Sequence, residues 1–163
     1  MTVNYWVKKL GLEAHPEGGF YKETYRADEE IPAKALPPRF KGNRSFSTAI
    51  YYLLGEGDFS AFHKILADET WHFYAGEPLQ LLIIKPDGKL QEITLGIGKS
   101  QQTPQFTVRA GDWFAAKSTG AYTLCGCNVA PGFDFNDFEM GKAAQLKNEF
   151  PQHEEIIDAF SRE

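Results

Sequence analysis

Turn residues interrupt this chain so often that long helices have no room to form through its middle. Between Phe20 and Val129, runs rich in β-branched and aromatic residues alternate with Gly55-Glu56-Gly57-Asp58, Gly76-Glu77-Pro78 and Pro86-Asp87-Gly88-Lys89. The last is an Asp-Gly hairpin signal. About nine short strands result, at the close spacing of an all-β sandwich or barrel. They are expected at Phe20–Arg26, Ser45–Leu54, Phe59–Leu66, Thr70–Ala75, Leu79–Lys85, Leu90–Leu95, Gln105–Arg109, Asp112–Ala116 and Tyr122–Val129. Thirteen Phe, seven Tyr and three Trp favour the same class, because aromatic rings pack well on a pleated surface.

Only the ends have helical spacing. Asn4–Leu10 reads as a short helix capped by Thr2 or Asn4 and stopped by Gly11. Met140–Phe150 and Pro151–Phe160 read as a helical tail, with Pro151 suited to a first turn. Asp28–Gly42, with three prolines and many charges, is a surface loop. The 163 residues suit a single domain over 1–163, its barrel at about 17–138 and its helices at about 139–162. Seventeen Lys and Arg against 22 Asp and Glu give a net charge of −5, which repels phosphate backbones, so nucleic acid is not an expected partner. No apolar run approaches a membrane span, and MTVNYWVKK is not a signal peptide, so the cytoplasm is the default compartment.

Chemistry-bearing residues concentrate in Ser60–Gly76, SAFHKILADETWHFYAG. Strand alternation puts Glu69, Trp71 and Phe73 on one face and Thr70, His72 and Tyr74 on the other. A face combining an acid with two large rings suits a pocket wall better than a solvated strand. His15, before a Pro-Glu-Gly-Gly turn, and His153, in an exposed helical turn, read as surface residues. Cys125 and Cys127 share a strand face around Gly126; with no second Cys pair to complete a zinc site, they are expected as packed, reduced thiols.

His63, Ile65, Glu69 and Gly76 stand as H-x-I-x3-E-x6-G, which resembles the first cupin motif with Ile65 in place of its second histidine. Gly111-Asp112 opens a stretch resembling the second motif, where the metal-binding histidine falls on Tyr122. The blocks HPEGGFYKETYR, RSFSTAIYYLL, FHKILADETWHFYAG and GCNVAPGFDFNDFEM look like the signatures of the Cupin_5 family. The resemblance implies a cupin double-stranded β-helix, or jelly roll, with a ligand cavity at the barrel mouth and commonly a homodimer. A partner along Gly18–Arg26 would cover an otherwise unpaired strand edge.

Typical cupins hold iron, manganese or zinc with three histidines and a glutamate. Ile65 and Tyr122 remove two of those ligands, so no tightly bound metal or other cofactor is expected. A metal-dependent cupin enzyme with a loosely held ion is the least favoured reading of the cavity, and two others stand ahead of it. In the first it is a metal-independent isomerase or epimerase, with His63 as base, Tyr122 as acid and Glu69 beside them, acting on a carbohydrate-like or nucleotide-linked carbonyl compound. FHKI is loosely similar to the segment around the catalytic histidine of the deoxysugar 3,5-epimerases. In the second the cavity only binds a metabolite, a sugar or nucleotide derivative stacked on Trp71, Phe73 and Tyr122. Glu23 belongs to the ligand-binding set in either reading, on a strand that lines the cavity or crosses to a partner.

Overall fold

The computed structural model describes residues 1–162. Helix α1 (Val3–Leu10) leads into β1 (Glu13–Ala14), β2 (Phe20–Arg26), β3 (Glu30–Ile31), β4 (Arg44–Ser45), β5 (Thr48–Gly55), β6 (Phe59–Ile65) and β7 (Asp68–Gly76). Then follow β8 (Leu79–Ile84), β9 (Leu90–Leu95), β10 (Gln105–Val108), β11 (Trp113–Ser118), β12 (Tyr122–Ala130) and β13 (Phe138–Met140), before helices α2 (Ala143–Glu149) and α3 (Glu154–Ala159). A six-stranded sheet in the order β1-β2-β5-β12-β7-β10 faces a five-stranded sheet in the order β13-β6-β11-β8-β9. The chain is mostly β with short helical ends, as the turn spacing requires, and the two sheets form a jelly roll.

The sequence LQLLII explains how the helical tail is used. Strand β8 lies between β11 and β9, so both its edges are paired, and its two faces are apolar and covered. Leu79, Leu81 and Ile83 point into the barrel with Trp71, Tyr52 and Phe114. Leu82 and Ile84 point outward, where Leu146, Phe150, Ile157 and Phe160 of the tail cover them. Helix α1 covers the opposite sheet, laying Val3, Trp6, Val7 and Leu10 over Leu53 and Leu124. Its N-cap is Thr2, whose Oγ1 accepts from Tyr5 N at 3.2 Å. Gly11 ends it in the left-handed conformation. Among the described residues no helix is long and apolar enough to cross a membrane.

Several boundaries differ from the expectation. The run Ser45–Leu54 breaks at Phe46–Ser47, so β4 pairs with β3 while β5 enters the main sheet. Met140 belongs to β13, opposite His63, and the tail becomes helical only at Ala143. The loop 28–42 is anchored by Phe40, which is buried against Ile65, Ala67 and Val129. Strand β2 pairs with β5 along its length, but β1 covers its other edge only at Phe20 and Tyr21.

Candidate functional site

The site begins with a turn that only glycine permits. Gly18 has φ 112° and Gly19 φ 73°. A Cβ on Gly18 would stand 2.1 Å from the Phe59 carbonyl oxygen, and one on Gly19 2.7 Å from that of Leu53. Without side chains there, the turn 15–19 lies flat on the start of β6. Ala61 N donates to Glu17 O at 2.9 Å, and Gly19 N donates to Asp58 Oδ2 at 2.9 Å. The Tyr52 hydroxyl donates to Gly18 O at 2.6 Å, and Arg162 Nε donates to Glu17 O at 3.2 Å. These bonds drive the Glu17 side chain into the barrel, where it is buried.

There it meets His63. Glu17 Oε2 is 2.8 Å from His63 Nε2, and His63 Nδ1 is 2.7 Å from Ala61 O. A carbonyl can only accept, so Nδ1 carries a proton. Burial by itself would push the imidazolium towards its neutral form, but the charge and hydrogen bond of Glu17 outweigh it and hold the His63 pKa above its ordinary value. Burial likewise pushes Glu17 up, and His63 pulls it below the usual carboxylate range. The pair is therefore an imidazolium and a carboxylate. Phe138 stacks on the His63 ring at 5.3 Å, with Phe114 at 4.1 Å. His15 is held neutral chiefly by burial, and its Nδ1 accepts from Glu17 N at 3.2 Å.

Glu69 behaves differently. It enters from β7 flanked by Val108 of β10 and Val129 of β12, with His63, Glu17, Trp71 and Cys127 as its polar neighbours. Among the described residues it forms no ion pair, since Arg44 is taken by Asp137 and Arg109 by Asp68. Burial, with the charge of Glu17 adding and that of His63 opposing, raises its pKa to about 7. One charge pair is thus fixed, and one neighbouring carboxyl can gain or lose a proton near neutrality.

These groups line a cavity of about 570 Å³. His63, Glu69, Thr48 and Cys127 border it together with Ile50, Ile65 and Val129. Burial pushes the Cys127 thiol well above its ordinary pKa. One wall is aromatic: Phe133, Phe135 and Phe138 contact one another, with His15 and Tyr21 adjoining. The exposed charges Glu13, Glu23 and Arg26 also border the cavity. Arg26 donates from Nε and Nη2 to Glu23 at 2.9 and 2.8 Å, and from Nη2 to Phe133 O at 3.0 Å.

Of the residues expected at the site, His63, Glu69 and Glu23 meet on this cavity. Trp71 shares the inward face of β7 with Glu69 but lies in the packed interior, against Tyr52 at 5.5 Å and Phe114 at 6.3 Å. Phe73 packs on that same core and does not border the cavity. Tyr122 lies elsewhere. Along β12 it shares a face with Leu124, turned outward under α1, whereas Cys125 and Cys127 face inward. His72 does not border the cavity either. His15 is not a surface residue: its side chain is 7% exposed. His153 is half-buried, its Nε2 2.7 Å from Gly88 O. Glu17 and Cys127 were not foreseen. The signal for Glu17 is an acid directly before two consecutive glycines; for Cys127 it is strand parity.

A metal does not fit this donor set. Both His63 nitrogens are engaged, Ile65 has no donor atom, and Tyr122 is on the outside. Among the described residues no three His, Cys, Asp or Glu side chains are grouped to hold an ion.

Comparison with known proteins gives a consistent family. The Cupin_5 family, described as "Cupin superfamily (DUF985)", matches residues 4–141. A crystal structure of a Shewanella oneidensis protein is 36% identical, with TM-score 0.88 over 99% of this chain and 98% of that one. A hypothetical protein from Leishmania major is 32% identical, with TM-score 0.90 over the full length of both. Oxalate decarboxylase from Bacillus subtilis, at 13% identity and TM-score 0.56, matches 90% of this chain to 36% of its own and shares the fold alone. No curated protein matches the chain.

Proposed function

The chain belongs to the Cupin_5 family of the cupin superfamily, and from that premise we propose that its cavity moves a proton on a small carbonyl compound, as a metal-independent isomerase with Glu69 as the transferring group. The observation that carries this reading is a buried carboxyl with a pKa of about 7, bordering the cavity and lacking an ion-pair partner among the described residues. A base is most effective when its pKa lies near the working pH, and desolvation puts Glu69 there. The carboxylate takes the proton from the carbon next to the carbonyl, and the resulting enediolate lies in the field of the His63 imidazolium. Thr48 supplies a donor at the same end: its Oγ1 accepts from Phe133 N at 2.9 Å, which leaves the hydroxyl proton for the substrate oxygen.

One carboxyl on one face can return the proton to the neighbouring carbon. Inversion at a single carbon calls for a second group on the opposite face, and Tyr122, the residue expected in that role, is on the outside of the barrel. Isomerisation is therefore favoured over epimerisation. The test is a thermal-shift screen of unphosphorylated and phosphorylated aldoses and ketoses, followed by exchange in deuterium oxide. A substrate should acquire deuterium beside its carbonyl with wild type and should lose at least about a hundredfold of that rate with Glu69→Gln. Binding without exchange by any ligand would leave a non-catalytic metabolite-binding cupin, the reading that the aromatic wall supports without Glu69 acting as base.

A further inference from the structure

The charges around the cavity restrict what can enter it. Glu17 and His63, paired at 2.8 Å, add no net charge to the cavity, so the imidazolium acts only locally on a group held beside it and does not draw an anion in. Glu23 and Arg26 likewise cancel through two hydrogen bonds, and the remaining contact of Arg26 Nη2 is with a carbonyl. Lys22 is the other cation bordering the cavity, and its Nζ reaches back to Gly11, 3.3 Å from where a Cβ on that residue would stand. Against it stand Glu13, Asp134 and the ionisable Glu69. Among the described residues, an entering phosphate or carboxylate would meet one cation outside an ion pair, Lys22, against three acids outside one, Glu13, Asp134 and Glu69. The low-dielectric walls supplied by Phe133, Phe138, Ile50 and Val129 strengthen that repulsion, and the chain's net charge of −5 has the same sign.

Resting on the isomerase reading of the same cavity, we infer that the substrate carries no anionic group: it is an uncharged or amine-bearing carbonyl compound, and phosphorylated or nucleotide-linked ones are turned away by the cavity's own carboxylates. An amine has a place in the arrangement, because Glu13 and Asp134 accept from it while the aromatic wall packs on its alkyl neighbours. A phosphate would have only Lys22 to pair with unless it displaced Glu23 from Arg26.

Cys127 reports the sign of the cavity without any knowledge of the substrate, since it borders the same space as Glu69. Its thiolate attacks a methanethiosulfonate, forming a mixed disulfide and releasing methanesulfinate, so three reagents differing in charge sample one site. These are the 2-(trimethylammonio)ethyl, 2-hydroxyethyl and 2-sulfonatoethyl forms, each rate being divided by that with a free small thiol. Peptide mapping by mass spectrometry separates Cys127 from Cys125, so the wild-type chain serves. The cationic reagent should label Cys127 at least about tenfold faster than the anionic one at low salt, with the uncharged one between. Glu69→Gln and Glu13→Gln should each narrow that ratio, and added salt should narrow it further.

Equal rates, or a faster anionic reagent, would overturn the charge assignment. So would a lack of reaction with all three at about pH 10, where the burial-raised thiol still supplies some thiolate, because the cavity would then not admit a solute of this size. The deuterium experiment fails separately: exchange on a phosphorylated sugar would keep the isomerase and remove this inference, while a cation-selective cavity without exchange would do the reverse.

Discussion

Ionising Glu69 should cost the fold stability, and Glu69→Gln should remove that cost while keeping nearly the same shape. The carboxyl titrates at an ordinary 4.5 when unfolded and at about 7 in the cavity. For an acid whose folded pKa is the higher one, the folded state holds the proton more tightly. Its contribution is therefore complete below the unfolded value, shrinks as the pH rises through the interval, and reaches its full cost above the folded value. Two and a half pKa units at about 1.4 kcal/mol each give about 3 kcal/mol at pH 8, and less than about 1 kcal/mol at pH 5. For a domain of this size that corresponds to roughly 6–12 °C in Tm at the alkaline end. Thermal and urea melts of both proteins between about pH 5 and pH 8 measure the difference directly. The two should nearly coincide at pH 5, with the glutamine protein pulling ahead as pH rises. A difference that stays flat across the range would mean that Glu69 titrates normally, and the proton-transfer reading would lose its base.

Glu17→Gln should destabilise the fold by about 3–5 kcal/mol, because it leaves the His63 imidazolium buried without its counter-charge; nitrogen-15 shifts should show His63 losing its proton at lower pH than in wild type. The sign follows from both partners. Glu17, lowered, contributes above its unfolded pKa and loses this as pH falls, while His63, raised, contributes below its unfolded pKa and loses this as pH rises. Tyr122→Phe should leave both deuterium exchange and Cys127 labelling at wild-type rates, since the ring packs under α1; a drop of more than about tenfold in exchange would return Tyr122 to the mechanism.

What the sequence disclosed follows from which features are local. Strand alternation along 69–73 places Glu69 and Trp71 on the inward face, and turn spacing is sufficient for the two-sheet fold. Alternation does not say how deep each inward residue lies: Trp71 fills the interior while Glu69, two residues earlier, borders the cavity. Parity also held the correction for Tyr122. If Cys125 and Cys127 share a face, Tyr122 is on the other, and motif alignment alone concealed that conflict. Glu17 was beyond local reasoning, because its partner is on a different strand and the contact exists only after the Gly18-Gly19 turn folds onto β6.

That turn gives the missing metal ligands a physical meaning. A buried histidine needs something at its second nitrogen, a metal in a typical cupin and the Glu17 carboxylate here. With Glu17 in that position His63 is kept cationic inside the barrel, and a cation placed there serves Glu69 in two ways. It limits how far burial raises the carboxyl, which would otherwise stay protonated at neutral pH, and it stands ready beside the negative charge that develops when a carbon-bound proton is removed. Replacing Ile65 with a histidine would therefore not restore a metal centre, because the first ligand is already committed. Glu17 would have to leave His63, and the turn that holds it in place is fastened by Ala61, Tyr52, Asp58 and Arg162 together.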